Sequence, residues 1–243
     1  MKPFLFLGTR AEDDAADDEY AAVLRGTGLD EARLARVRLE RDELGPVDLD
    51  AWSGFILGGG PFNVSDPIVQ KSVEQLRAEA DLARLAGQVV AADAPFLGAC
   101  YGIGVLGSTG GGVVDRTYGE PIGAVEVTLT DEGRADPLLA ALPDAFDVFL
   151  GHKEAVRELP AGAVRLASST TCPVQAFRIG DNVYATQFHP ELDVESLALR
   201  IQTYRDHGYF PPEQAQGLID MARRAEVSEP VKILAAFADR YAR

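Results

Sequence analysis

Pro95-Phe96-Leu97-Gly98-Ala99-Cys100-Tyr101-Gly102-Ile103-Gly104-Val105-Leu106 joins a brief apolar strand to a segment that starts a helix, through a turn with glycine on either side of a cysteine. A short buried strand running directly into a helix is the unit from which parallel sheets are built. The same grammar appears upstream. Phe4 to Leu7 reads as a first strand, and Tyr20, Ala21, Val23 and Leu24 are spaced for the inner face of a helix ending near Gly26 and Gly28. Arg36 to Glu40 reads as a second strand, and Gly54-Phe55-Ile56-Leu57 as a third that runs into Gly58-Gly59-Gly60-Pro61. A long helix is expected over Asp66 to Ala86, with Ile68, Val69, Val73, Leu76, Ala80, Leu82 and Leu85 as its apolar side.

Downstream, alternation between Val113 and Leu129 and the runs Phe146–Leu150, Val164–Ala167, Val174–Ile179 and Val183–Phe188 predict strands. Gly180-Asp181-Asn182 reads as a hairpin turn between the last two. After His189-Pro190-Glu191 the pattern is helical, interrupted at Pro211-Pro212. The expected architecture is α/β: a mostly parallel central sheet flanked by helices, with a smaller β-rich section and a helical C-terminal extension. The expected division is residues 1–195 as the main unit and 196–243 as an extension packed on the same domain.

Composition narrows the class. Of 243 residues, 47% are hydrophobic and 25% charged, the balance of a folded chain with a sizeable core. The 38 acidic against 23 basic side chains leave a net charge of −15, which disfavours nucleic acid and anionic membrane surfaces as partners. The two cysteines, Cys100 and Cys172, have no spacing of a disulfide framework or zinc site, and no run is long enough to span a membrane. A cytoplasmic location is the expectation. The acids between Ala11 and Asp18 read as a solvated face and helix N-terminal charges, and no residue cluster suggests a metal.

Cys100 has two readings. A lone cysteine in a cytosolic chain is commonly a small core residue. At a strand-to-helix turn, however, the sulfur is exposed while the helix N-terminus favours thiolate and directs N–H groups at an oxyanion. Phe188-His189-Pro190-Glu191 then supplies a base at a strand end and a carboxylate to fix its tautomer, the set a thiol nucleophile needs. His189 and Glu191 alternatively read as a surface histidine beside a helix-capping acid.

Four segments, Ile56-Leu57-Gly58-Gly59-Gly60-Pro61, Leu97 to Gly102, Gly151-His152-Lys153-Glu154 and Gln187 to Glu191, stand in the order and separation of the class I glutamine amidotransferases. The chain resembles that family from about Phe4 to Glu191, most closely the amidotransferase part of GMP synthetase and its stand-alone relatives. The resemblance implies hydrolysis of the glutamine side-chain amide through a γ-glutamyl thioester, with Cys100 as nucleophile, His189 as general base and acid, and Glu191 as orienting carboxylate. It implies an oxyanion hole from the N–H groups of Gly60 and Tyr101, substrate contacts from Gly59, Gly151, His152 and Lys153, and no cofactor. Ammonia would go to a separate synthetase.

Two positions depart from the family pattern. Relatives of the GMP type carry Ser-His-Gly-Asp where this chain has Gly151-His152-Lys153-Glu154, and a Gln that helps hold substrate is replaced by Gly104. The expectation at Gly104 is a gap in the substrate pocket, which favours a γ-glutamyl peptidase as an alternative activity. A non-catalytic binding or regulatory protein on the same fold is the third reading.

Overall fold

The strands in the middle of the parallel part of the sheet are short and apolar because both of their faces are covered. In the computed structural model, which describes residues 2–243, β1 (Phe4–Gly8), β2 (Leu34–Arg38), β3 (Gly54–Leu57), β4 (Phe96–Ala99) and β11 (Val183–Thr186) form the parallel part in the order β2-β1-β3-β4-β11. The sheet continues antiparallel through β10 (Ala176–Ile179), β9 (Ala163–Ser168), β6 (Glu120–Leu129) and β7 (Ala145–His152), making nine strands. The later β-rich section is thus continuous with the parallel strands. Among the described residues, only β5 (Val113–Asp115) and β8 (Ala155–Glu158) stand apart as a two-stranded sheet.

Successive strand residues point to opposite faces, and the core splits accordingly. Phe4, Phe6, Ile56 and Leu97 pack on one side with Val23 of α1 (Asp13–Thr27) and Ile233, Leu234 and Phe237 of α7 (Val231–Tyr241). Leu5, Leu7, Phe55, Leu57 and Phe96 face the other, under α2 (Val73–Ala92) and α3 (Tyr101–Ser108). A short α4 (Asp131–Ala135) follows β6. The helices α5 (Val194–Thr203) and α6 (Ala215–Arg224) bury Leu197, Ile201 and Ile219 against Phe149 of β7. The three helices after residue 193 therefore lie on the same sheet. Among the described residues, no helix is long and apolar enough to cross a membrane.

The expected helix over Asp66–Ala86 is displaced. Ser72 caps α2 by accepting from Gln75 N at 3.1 Å, so the helix starts at Val73 and runs to Ala92. Its buried stripe is Ala78, Leu82, Leu85, Ala86 and Val89. Ile68, Val69 and Val73, expected inside, are 73%, 92% and 76% exposed, because Ile68 and Val69 lie in a separate single turn before the cap. The second strand is shifted to Leu34–Arg38, and the strand β8 was not expected at all.

Candidate active site

Four loops at the carboxyl ends of parallel strands converge, the place where open α/β sheets hold their ligands. After β1 come Thr9 and Arg10, after β3 Gly58 to Gly60, after β4 Cys100, and after β11 the segment Gln187 to Glu191. At the β4 turn the chain reverses so tightly that a Cβ at Gly98 would lie 2.9 Å from the backbone of Gly102. Cys100 sits at φ 51°, ψ −93°, a strained conformation for a residue with a side chain, and its N–H donates to Thr186 O at 2.8 Å. The N–H groups of Gly60 and Tyr101 make no hydrogen bond among the described residues.

The two cysteines separate cleanly. Cys172 is fully buried with its sulfur 3.5 Å from Val174 O, and burial pushes its pKa up to about 11. Cys100 is partly exposed and lies beside His189. Gly59 completes the contact, since a Cβ there would overlap His189 Cε1 and lie 3.2 Å from Cys100 Cβ. Thr9 Oγ1 donates to Gly59 O at 3.0 Å and pins this loop.

His189 Nδ1 is 2.8 Å from Glu191 Oε1. Burial of the ring pushes the His189 pKa down, but the Glu191 carboxylate and the Cys100 sulfur outweigh it, and the pKa rises to about 9. Burial alone would push Glu191 up; instead His189 and Arg200 hold it well below the usual carboxylate range. Arg200 Nη2 donates to Glu191 Oε1 at 3.0 Å and lies 3.6 Å from Glu19 Oε1. Glu19 accepts from Arg10 Nε at 3.0 Å, and Arg10 Nη1 donates to Tyr204 OH at 3.3 Å. Carboxylates and guanidinium groups alternate, so each buried charge has an opposite neighbour. Glu19, His189 and Glu191 bring one ligand atom each within 4.8 Å of one another, and Arg10 and Arg200 supply the positive charge that this cluster needs.

Arg10, Glu19, Arg200 and Tyr209 were not among the expected site residues. For two of them a signal existed: Glu19 falls on the stripe of Ala15, Ala16, Ala22 and Val23, and Arg200 falls between Leu197 and Ile201. A charge on an apolar helix stripe marks a buried partner. Tyr209 carries no such signal; it reaches the site from the segment after α5, with the Lys153 ammonium 4.2 Å from its ring centroid.

The substrate-contact residues divide. Gly60, Gly151, His152, Lys153 and Tyr101 line a small cleft of about 310 Å³, mouth included, together with Cys100, Glu154 and Gln187. The His152 ring nitrogens have protein partners: Nδ1 lies 2.8 Å from Glu154 O and Nε2 2.8 Å from Glu120 Oε2, with Gln175 and Thr171 donating to the same carboxylate. Both ring nitrogens are thus taken, and its part is to hold the backbone of Gly151 to Glu154. Burial would push Glu120 up, yet these bonds keep it lowered.

Gly104 corrects an expectation. The space beside it is filled, not open: a Cβ there would lie 2.9 Å from Glu154 Oε1 and 3.3 Å from Val64 Cγ2. Glu154 accepts from Val64 N at 2.8 Å and Ser65 N at 2.7 Å, tying the loop after Gly60 to the end of β7. The two departures from the family pattern therefore face each other, the longer carboxylate occupying the room a side chain at 104 would take. Gly104 borders neither cleft at Cys100.

The chain also matches known proteins in sequence and in fold. The profile of "Glutamine amidotransferase class-I" matches residues 28–205. The chain belongs to the class I glutamine amidotransferase family. A GMP synthase [glutamine-hydrolyzing] of Thermomicrobium roseum is 33% identical over 204 residues, covering 78% of this chain and 34% of that protein. One subunit of the GMP synthase [glutamine-hydrolyzing] of Methanoculleus marisnigri is 33% identical over 140 residues, covering 57% of this chain and 65% of that protein. The chain therefore spans about a third of the first relative and just under two thirds of the second. A glutamine amidotransferase structure from Thermotoga maritima superposes with a TM-score of 0.78 at 22% identity, over 99% of this chain and 97% of the other, so the fold is shared along the whole chain.

Proposed function

We propose that this amidotransferase-family chain hydrolyses the side-chain amide of glutamine through a γ-glutamyl thioester on Cys100. The observation that carries the reading is the meeting, at one strained turn, of the Cys100 sulfur, the buried His189–Glu191 pair and two unpaired N–H groups. The thiol proton passes to His189 and the sulfur attacks the γ-carbonyl carbon. The resulting oxyanion lies at the N–H groups of Gly60 and Tyr101. The C–N bond breaks as His189 returns the proton to the departing nitrogen, releasing ammonia. Water then attacks the thioester carbon, His189 takes its proton and gives it to the leaving sulfur, and glutamate departs.

Glu191 holds the His189 tautomer and stabilises the imidazolium. In the small cleft beside Cys100, the backbone of Gly151 to Lys153 and the Glu154 carboxylate are the groups that face the α-amino and α-carboxyl ends of the substrate. The ammonia acceptor is a separate synthetase; support comes from the M. marisnigri relative, which is one subunit of its enzyme.

The test is glutamate and ammonia release from glutamine by the purified protein. One of each per glutamine is expected, abolished in Cys100→Ala and unchanged in Cys172→Ser. Release that survives Cys100→Ala refutes the reading.

A further inference from the structure

Two clefts, not one, meet at Cys100. The smaller one is lined by Tyr101, Lys153 and Gln187 and lacks His189; the larger, of about 550 Å³ with its mouth, is lined by His189 and lacks those three. Gly60, Cys100, Gly151 and Tyr209 border both. The nitrogen that leaves a tetrahedral intermediate is the one His189 protonates, so it must face the His189 side. The acyl end then occupies the smaller cleft and the amine end projects into the larger.

Ammonia is no bigger than a water molecule, whose share of liquid volume is roughly 30 Å³. It gains nothing from apolar walls. Yet the larger cleft is walled by Ile122, Leu192, Leu197, Ile201 and the rings of Tyr204 and Tyr209, a lining suited to a hydrocarbon side chain. Two guanidinium groups are built into the same wall, Arg10 and Arg200, and Arg200 is held by Glu191 at 3.0 Å. Arg10 is 5% exposed, its Nε and Nη1 are engaged by Glu19 and Tyr204, and Nη2 makes no hydrogen bond among the described residues. A buried guanidinium with a free donor calls for an anionic acceptor such as a carboxylate. A primary amine, an apolar side chain and a carboxylate together describe an apolar α-amino acid.

We infer that the larger cleft binds the amino-acid part of γ-glutamyl dipeptides with an apolar C-terminal residue, and that Cys100 cleaves them. The inference rests on the thioester reading above. The sulfur forms the same γ-glutamyl thioester, the amide C–N bond breaks, and His189 delivers its proton to the amino nitrogen of the departing amino acid. One water then releases glutamate and restores the thiol, so no further reactant is needed.

The experiment measures kcat/KM of the purified protein for γ-glutamyl-leucine, γ-glutamyl-glycine, γ-glutamyl-leucinamide and glutamine. γ-Glutamyl-leucine is expected to exceed γ-glutamyl-glycine and glutamine by at least about tenfold, the scale of discrimination that an apolar pocket gives. It is expected to exceed the leucinamide by a similar factor, and in Arg10→Gln that second ratio falls to about one. The native-protein comparison stands even if Arg10→Gln does not fold. Glutamine hydrolysis equal to or above that of γ-glutamyl-leucine overturns this inference and leaves the thioester reading intact. Equal rates for leucine and leucinamide overturn the assignment of Arg10. Failure of every substrate, with Cys100 also unlabelled by a glutamine-analogue electrophile, overturns the thioester reading and this inference with it.

Discussion

Gly59→Ala adds one methyl group where the site has no room for it. The new Cβ would overlap His189 Cε1, lie 3.1 Å from its Nε2 and 3.2 Å from Cys100 Cβ. Ordinary carbon contacts begin near 3.5 Å, so the imidazole must retreat by about 1 Å or the Gly59 loop must lift. The loop is tethered through Thr9 Oγ1 on Gly59 O at 3.0 Å, and the ring through Glu191 at 2.8 Å, so the strain is shared by both. A misplacement of about 1 Å costs roughly 100-fold in rate, and overpacking of this size costs about 1–3 kcal/mol of stability. We expect glutaminase kcat/KM to fall about 100-fold while Tm falls by less than roughly 12 °C, measured by coupled glutamate assay and thermal unfolding. Activity within twofold of the native protein would show that His189 does not sit against Gly59 during turnover, and the geometry of the proposed mechanism would fail.

Three further outcomes follow from the charges around His189 and Glu154. In Glu191→Gln, kcat falls by at least about 100-fold and the His189 pKa, read by NMR titration of only three histidines, drops from about 9. In the native protein the stabilisation from this raised pKa is complete below the unfolded value of 6.5 and is lost as pH rises through about 9, so Glu191→Gln flattens stability over that window. Arg200→Met leaves Glu191 and Glu19 without their shared cation and lowers stability by about 3–5 kcal/mol in denaturant titrations, and adding Glu19→Gln recovers part of it. Gly104→Gln drives Glu154 from Val64 N and Ser65 N and raises KM by roughly tenfold for glutamine and γ-glutamyl-leucine alike; opposite changes for the two would restore the view of position 104 as a substrate-size filter.

The sequence made β1, β3 and β4 legible because strands buried on both faces are short unbroken apolar runs, and Phe4–Leu7, Gly54–Leu57 and Phe96–Leu97 are such runs. Cys100 and the Gly58 to Gly60 run were legible because each lies directly after one of them. Helix phase was harder. Ile68 and Val69 extend the apolar spacing of α2 backwards, but the Ser72 cap breaks the turn and leaves them outside, and Val73 opens the helix on its exposed face. The network behind His189 and Glu191 could not be read from motifs, because Arg10, Glu19 and Arg200 come from three segments that only the sheet brings together. Gly104 and Glu154 were each visible as departures; that they face each other is a tertiary fact, 50 residues apart in the chain.

On the proposed mechanism Cys100, and not Cys172, carries the γ-glutamyl group. Incubation with a glutamine-analogue electrophile, followed by proteolysis and mass mapping, tests it in one step, since Cys100 is partly exposed beside His189 and Cys172 is buried with its pKa at about 11. One label per chain, on Cys100 and absent in His189→Ala, is the predicted result. A label on Cys172, or glutamine turnover with Cys100 left unmodified, would show that Cys100 is not the nucleophile.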